Sequence, residues 1–285
     1  LSQLETADLA LLNTVQIRAI DTADISGLTT AQIVALTTEQ VAALTTGQIQ
    51  ALTTAQFQAM EVADLAALTT AQIRAMETRD IAVLSTAQIV ALTSDQVQAL
   101  TTAQIVALTT DQVPALEAAD FALLSTAQIV ALQTRDVAVL TSDQIVALTT
   151  EQAEALTSAQ LAALTTAQLT HIETEDFVVI TTSTLQGLSA EQAAALSTAQ
   201  VAALTTAQLV SLGTDDVAAL TTAQIVALGS DQVAVLTTAQ VQALTTAQVA
   251  AMEVADFAEL TSVQIAVMET ADVAAQTNAQ VVALT

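Results

Sequence analysis

Acidic residues spaced three apart are the groups in this chain best suited to chemistry. Two carboxylates at that spacing, such as Glu61 and Asp64, repel each other unless a cation or hydrogen-bond donors lie between them, and calcium takes oxygen ligands. Calcium binding is therefore one hypothesis. The other, which we favour because no Asp-rich calcium loop occurs, is that the Asp accepts backbone N–H groups at a helix start while the first acid stays in water. The pairs are Glu5–Asp8, Asp21–Asp24, Glu61–Asp64, Glu77–Asp80, Glu117–Asp120, Glu173–Asp176, Glu253–Asp256 and Glu269–Asp272.

The other groups that catalysis needs are absent from the sequence or isolated in it. The single imidazole, His171, stands where the chain otherwise repeats Ala, which indicates a tolerated substitution near the margin of a core. Since there is no Cys, thiolate chemistry, disulfides and Cys-based metal sites are excluded. The five Gly are scattered and form no phosphate-binding loop. We predict no catalytic, cofactor or metal site beyond the calcium alternative, and no enzyme.

The charge of the chain excludes two classes of partner. Its 285 residues hold four basic side chains against 29 acidic ones, for a net charge of −25. A nucleic-acid partner is excluded because no basic face can form, and anionic lipid would repel the chain. Mean hydropathy is +0.60, but Thr and Gln interrupt every apolar run before the roughly 20 residues that span a bilayer. We predict no membrane insertion. For Arg79 and Arg135, which stand next to Asp80 and Asp136, we predict local charge pairing.

The elements that carry these residues follow an eight-residue repeat. Residues 5–284 divide into 35 octads without insertion or deletion, with the consensus Thr-Thr-Ala-Gln-Ile/Val-x-Ala-Leu, whose residues we number as positions one to eight. Position five is always apolar, and position eight is Leu, Ile or Met except at Gln276. Position four is Gln or Asp except at Thr184. We predict a single continuous array over residues 1–285, cut from a longer one.

One short helix in each octad fits this pattern best. Thr at position one and Gln at position four have the spacing of a capping box, and positions two to eight would make about two turns with positions five and eight on one face. A continuous helix fails because its apolar stripe would drift by about 80° per octad. Strands fail because positions five and eight would face opposite sides. Pro114, at position six, should distort its own helix.

Helices this short are unstable alone, so each must bury positions five and eight against other octads. We therefore predict an all-α solenoid of very short helices, one per eight-residue repeat. Acidic octads recur every 56 residues at Glu5, Glu61, Glu117 and Glu173. If seven octads close a whole number of turns, these octads stack along one side of the coil. Duplication of a seven-octad block is the alternative explanation.

The recurring unit Leu-Thr-Thr-Ala-Gln-Ile/Val-x-Ala-Leu resembles, along the whole chain, the octapeptide arrays of large, repetitive bacterial surface or secreted proteins of the adhesin-like kind. The resemblance implies an extracellular or cell-surface location and a structural, non-catalytic role as a rod, stalk or filament. The acidic composition and the absence of Cys fit that location. The alternative function is an acidic array that binds calcium, or a surface or other ligand in the manner of an adhesin.

The end octads give an expectation about partners. They keep apolar residues at positions five and eight, namely Leu9, Leu12, Val281 and Leu284. Solenoids normally need polar capping repeats at their ends. We therefore expect these surfaces to be covered, either by end-to-end self-association or by further octads of a longer chain.

Overall fold

The computed structural model describes residues 3–284, and helices are the only regular secondary structure in that range. Each octad carries one α-helix of four to six residues, except octad 109–116. The predicted all-α repeat fold with one short helix per octad is confirmed. The described residues form two compact units with the boundary after Ala147. The single continuous array over residues 1–285 stays a prediction.

Within its described residues, 3–147, the first unit contains seventeen α-helices and one 3-10 helix. They are α1 (Thr6–Ala10), α2 (Thr14–Arg18), α3 (Thr22–Ser26), α4 (Thr30–Val34), α5 (Thr38–Ala43), α6 (Thr46–Ala51), α7 (Thr54–Ala59), α8 (Val62–Ala67), α9 (Thr70–Ala75), α10 (Thr78–Ala82), α11 (Thr86–Val90), α12 (Ser94–Ala99), α13 (Thr102–Ala107), the 3-10 helix Val113–Ala115, α14 (Ala118–Phe121), α15 (Thr126–Ala131), α16 (Thr134–Val137) and α17 (Ser142–Val146).

The second unit contains another seventeen α-helices among its described residues. They are α18 (Thr150–Ala155), α19 (Ser158–Ala163), α20 (Thr166–His171), α21 (Thr174–Phe177), α22 (Thr182–Leu185), α23 (Ala190–Ala195), α24 (Thr198–Ala203), α25 (Thr206–Ser211), α26 (Thr214–Ala219), α27 (Thr222–Val226), α28 (Ser230–Ala234), α29 (Thr238–Ala243), α30 (Thr246–Ala251), α31 (Val254–Ala258), α32 (Ser262–Ala266), α33 (Thr270–Ala275) and α34 (Asn278–Ala283).

Each α-helix begins at position two, and where position one is Thr, Ser or Asn its side chain caps the helix. In octad 101–108, Oγ1 of Thr101 accepts the backbone N–H of Gln104 at 3.2 Å, and Oε1 of Gln104 accepts the backbone N–H of Thr101 at 2.8 Å. The two bonds satisfy N–H groups that the first turn of a helix leaves without partners. The backbone of Thr101 is extended, with φ −74° and ψ 158°, as a capping residue requires. The predicted capping box is confirmed.

The helices are shorter than the predicted two turns. Helix α13 ends at Ala107, and Leu108 at position eight has a non-helical backbone with φ −58° and ψ 144°. The N–H of Leu108 bonds to the carbonyl of Ile105 at 3.2 Å, a tight closure that ends the helix after about one and a half turns. The extended residue at position eight, followed by the extended cap of the next octad, lets the chain change direction once per repeat.

Octad 109–116 departs from the pattern, as the sequence predicts. Its helix is a short 3-10 segment, Val113–Ala115, that contains Pro114. Proline has no N–H to donate, and its ring clashes with the preceding turn. The capping bonds survive, since the N–H of Thr109 still donates to Oε1 of Gln112 at 2.9 Å. The predicted distortion is confirmed, and it is confined to one octad.

The core is built from positions four, five and eight. Ile105 and Leu108 are fully buried, and Gln104 is 2% exposed. Helices pack against those three octads away, so that α9 contacts α6 and α12, while position-four side chains bond to octads four away. One turn of the coil therefore takes between three and four octads. A turn of three and a half octads would stack the acidic octads of the first unit, which recur every seven octads, along one side of the coil; this stays a prediction beside duplication of a seven-octad block.

Two glycines test how closely the octads approach each other. A Cβ on Gly187 would lie 2.4 Å from the backbone oxygen of Ser158, three octads earlier, whereas a Cβ on Gly47 would meet no atom closer than 4.0 Å. We expect Gly187→Ala to lower the free energy of unfolding by about 1–3 kcal/mol, because the backbone must shift. Gly47→Ala, inside α6, should raise it by about 0.5–1 kcal/mol. Thermal unfolding followed by circular dichroism measures both, and a change of the same sign in the two variants would contradict the packing.

Candidate functional site

The side chain at position four links each octad to the octad four before it. In octad 101–108, Nε2 of Gln104 donates to the carbonyl oxygens of Ile73 at 2.7 Å and Met76 at 2.9 Å. These carbonyls stand at positions five and eight of octad 69–76, at the end of helix α9; that of Ile73 also accepts the N–H of Met76 at 3.2 Å, whereas no backbone N–H of the described residues donates to that of Met76. One buried amide therefore caps its own helix with its oxygen and the end of another helix with its nitrogen.

The same pair of bonds recurs with sequence separations of 31 and 28 residues in both units. The donors are Gln40, Gln48, Gln56, Gln72, Gln88, Gln96, Gln104, Gln112, Gln128 and Gln144 in the first unit, and Gln192, Gln200, Gln224, Gln232, Gln240, Gln248 and Gln280 in the second. Thr184 keeps the donor role, because its hydroxyl donates to the carbonyl of Leu156 at 2.8 Å. The sequence pattern predicts the capping bond of this side chain but not the link between octads.

Aspartate at position four has no proton to donate at neutral pH, so the octads that carry it bond differently. In three of them one carboxylate oxygen accepts the first backbone N–H of its own octad, as the helix-capping hypothesis predicts. These are Asp80 with Glu77 at 3.1 Å, Asp136 with Gln133 at 3.1 Å, and Asp216 with Gly213 at 2.9 Å. Burial, as the largest cause, raises the pKa of each of these three carboxyls.

In three other octads the aspartate turns toward the octad three before it. One carboxylate oxygen there accepts a hydroxyl from position two. The pairs are Ser94 with Asp120 at 2.6 Å, Thr150 with Asp176 at 2.9 Å, and Ser230 with Asp256 at 2.6 Å. In these three cases the hydroxyl at position two donates a hydrogen bond to the aspartate of the octad three repeats later.

Asp64 has neither arrangement. Its side chain is 2% exposed, and Oδ2 has no hydrogen-bond partner in the part of the chain that the structure describes. The capping residue of this octad, Glu61, makes no side-chain bond to the helix. Burial first, and the negative charge of Glu61 second, raise the pKa of Asp64 to about 6. The carboxylate of Asp64 is therefore buried, and its Oδ2 has no partner for its charge among the described residues.

In octad 77–84 an arginine at position three neutralises the equivalent pair. Nη2 of Arg79 lies 2.9 Å from Oε2 of Glu77, and Nε lies 3.8 Å from Oδ1 of Asp80. In octad 133–140, Nε of Arg135 lies 3.4 Å from Oδ1 of Asp136. The predicted local charge pairing is confirmed for both arginines. Octad 61–68 has Ala63 at that position and therefore no internal cation.

The raised pKa of Asp64 predicts how stability depends on pH. Because the native state binds the proton more tightly than the unfolded chain, the free energy of unfolding should fall as pH rises through the window from about 4 to about 6. Between about pH 5 and pH 7.5 the loss due to Asp64 should be about 1.4 kcal/mol, the free energy of a tenfold change in proton affinity. Urea unfolding of the wild type and of Asp64→Gln, both in the presence of a chelator, measures it. Identical pH profiles for the two proteins would contradict the prediction.

The remaining candidate groups do not assemble into a site. His171 is exposed at the last residue of α20. Within residues 3–284, no three acidic or histidine side chains come together in a way that could hold a metal ion. In the same range no helix is both long and apolar enough to cross a bilayer. The side chains with the most organised surroundings are therefore those at position four.

Short helices, most of them capped by the residue at position one, pack against helices three octads away and bond to octads four away, which defines an α-helical repeat solenoid. The profile of the ALTTAQ repeat matches residues 1–38, 19–54, 57–94, 73–110, 113–150, 169–206, 209–246 and 249–285. The chain belongs to the ALTTAQ repeat family, and the repeat array that the resemblance implies is confirmed. No curated protein matches the sequence.

Proposed function

We propose that the chain is a non-catalytic structural spacer, part of a stalk or filament of an extracellular bacterial protein. The observation that carries this proposal is the use of its polar side chains. The side-chain amides of Gln104 and its equivalents form hydrogen bonds that hold octads together. The hydroxyl of Thr101 caps a helix, and that of Ser94 donates to a buried carboxylate. Groups committed in this way are not available as nucleophiles or ligands.

The extracellular part of the proposal draws on the composition of the chain. A net charge of −25 keeps copies apart in solution. The absence of Cys means that stability does not depend on the redox state of the surroundings. The resemblance to octapeptide arrays of bacterial surface proteins points to the same location.

Self-association, or continuation in a longer chain, is supported by the last octads. Val249 at position five is fully buried, whereas Val273 and Val281 at the same position are 47% and 49% exposed. Leu9, in the first octad, is fully buried, so position five is covered by octads later in the sequence. We infer that octads of a second copy cover Val273 and Val281 when the chain associates.

A deletion tests the spacer function. Removal of residues 61–116, seven octads from the first unit, should leave a folded protein with the same mean residue ellipticity, because the stability of a solenoid is a sum over neighbouring repeats. Loss of helical structure on deletion would show that this block has a role that no other block supplies, and would contradict the spacer function.

Sedimentation tests the association. The 285-residue chain, studied over a wide range of concentration, should associate more strongly at high salt, because salt screens the repulsion between acidic copies. The variant Val281→Asp should associate less under the same conditions, since it places a charge on the exposed position-five surface. A strict monomer at high concentration and high salt would contradict end-to-end assembly by the isolated chain.

A further inference from the structure

Octad 61–68 lacks the donor that its neighbours use to satisfy a helix end. The flanking Gln56 and Gln72 each place Nε2 2.8 Å from a position-eight carbonyl, that of Leu28 and that of Leu44. The carbonyl between these two in sequence belongs to Leu36, and the residue in the position to serve it is Asp64. Among the described residues no group donates a hydrogen bond to the oxygen of Leu36.

The two carboxylates of this octad and the carbonyl of Leu36 are all acceptors. Asp64 is one methylene shorter than Gln and has no amide nitrogen, so it cannot supply the missing bond. Its own Oδ2 is buried and without a partner, and Glu61 makes no capping bond. Two carboxylates and a carbonyl that no N–H or O–H satisfies make an oxygen-only set, which is the ligand chemistry of a hard cation.

The equivalent pair in octad 77–84 already holds a positive group. Arg79 contacts both Glu77 and Asp80 there, and Arg79 stands at position three, where octad 61–68 has Ala63. This comparison is independent of the burial of Asp64. In octad 77–84 the chain itself supplies a cation to the acidic pair. Among the described residues, octad 61–68 has neither such a cation nor the hydroxyl donor that Asp120, Asp176 and Asp256 have.

We propose that octad 61–68 binds a divalent hard cation, for which Ca²⁺ is the probe, between the carboxylates of Glu61 and Asp64 and the carbonyl oxygen of Leu36. A charge of +2 neutralises the pair. Leu36 follows the C-terminal end of helix α4, where the helix dipole favours a cation. Water completes the coordination shell, as it does in many calcium sites.

Protonation of Asp64 is the alternative way to reduce the repulsion between these oxygen groups. It would neutralise one carboxylate and give a single donor, whereas three oxygen groups need compensation. The raised pKa of Asp64 expresses the cost of its charge in the absence of any cation, and binding of Ca²⁺ should remove that cost. Calcium should therefore flatten the pH dependence of stability that Asp64 causes.

The test is to count bound Ca²⁺ by equilibrium dialysis of the full chain at constant ionic strength. Ala63→Arg supplies octad 61–68 with the arginine of octad 77–84 and should bind one ion fewer than the wild type. Arg79→Ala removes that arginine from octad 77–84 and should bind one ion more. Asp64→Gln restores the consensus amide and should also bind one Ca²⁺ ion fewer than the wild type. This variant replaces Ala63→Arg in the test if Ala63→Arg does not fold.

Thermal unfolding gives the second readout. Ca²⁺ should raise the melting temperature of the wild type by mass action, and should raise that of Ala63→Arg and Asp64→Gln by less. Potassium at equal ionic strength should not reproduce the difference between the proteins. An unchanged ion count and equal calcium shifts in the wild type, Ala63→Arg and Asp64→Gln would overturn the proposal.

Discussion

Ile105→Ala should lower the free energy of unfolding by about 2–5 kcal/mol, because it removes most of a fully buried side chain at position five. The next residue provides a matched control. Val106 at position six is 40% exposed, and Val106→Ala should change the free energy of unfolding by no more than about 0.5 kcal/mol. Since the chain has no Trp and no Tyr, far-UV circular dichroism in urea is the appropriate measurement.

The expected loss at Ile105 is large because several octads depend on it. Helix α13 packs against α10 and α15, and a helix of six residues cannot persist without such neighbours. Unfolding of a repeat array can proceed in stages, so the data call for a nearest-neighbour treatment rather than a two-state one. Equal losses at Ile105 and Val106 would contradict the one-sided burial on which the fold depends.

Gln104→Glu should cost about 3–5 kcal/mol at neutral pH. The substitution keeps the shape of the side chain and the oxygen that accepts the N–H of Thr101. It replaces the amide nitrogen by an oxygen that faces the carbonyl oxygens of Ile73 and Met76. A buried charge without a partner is the source of the penalty. At acid pH the protonated carboxyl regains one donor, so the loss should shrink.

Gln98→Glu is the control for this substitution. Gln98 is exposed at position six of octad 93–100, and the chemical change and the change in net charge are identical. Its effect on the free energy of unfolding should stay within about 0.5 kcal/mol. If Gln104→Glu is as mild as Gln98→Glu, the amide at position four does not hold the octads together.

Most of the fold could be predicted from the repeat. The spacing of Thr101 and Gln104 specifies the helix start, the apolar pair Ile105 and Leu108 specifies the buried face, and Pro114 specifies the distorted octad. These three features could be predicted because each of them depends only on residues within one octad. The predicted length of the helices was too great, because the spacing alone did not show that position eight must be extended to reach the next cap.

The link between octads was not predicted, although the sequence holds a signal for it. A capping box accepts Glu as readily as Gln, yet no octad has Glu at position four. That absence indicates that the side chain must donate as well as accept. Thr184 is consistent with this, because its hydroxyl also donates a hydrogen bond. Which carbonyls receive the bonds depends on the number of octads per turn, a property of the coil that no single octad specifies.

The unusual position of Asp64 also needed the structure. In the sequence its octad looks like the other acidic octads, but Asp80 has Arg79 beside it and Asp120 accepts a hydroxyl from Ser94. Only the structure shows that Asp64 Oδ2 is buried without a partner, and that the carbonyl of Leu36, which a Gln in its place would serve, has no donor among the described residues. The sequence hypothesis of calcium binding therefore becomes specific for one pair out of eight.

Cross-linking between chosen octads tests the central claim, that each octad lies beside the octad three away and not beside the octad two away. The chain has no Cys, so a cysteine pair introduced at exposed position-six residues reacts without background. Arg74 and Gln98 are three octads apart and line the same groove, whereas Val90 is two octads from Arg74 and exposed. With a short bifunctional maleimide, the pair at 74 and 98 should cross-link within one chain, and the pair at 74 and 90 should not. Equal yields for the two pairs, or a higher yield for 74 and 90, would contradict the solenoid described here.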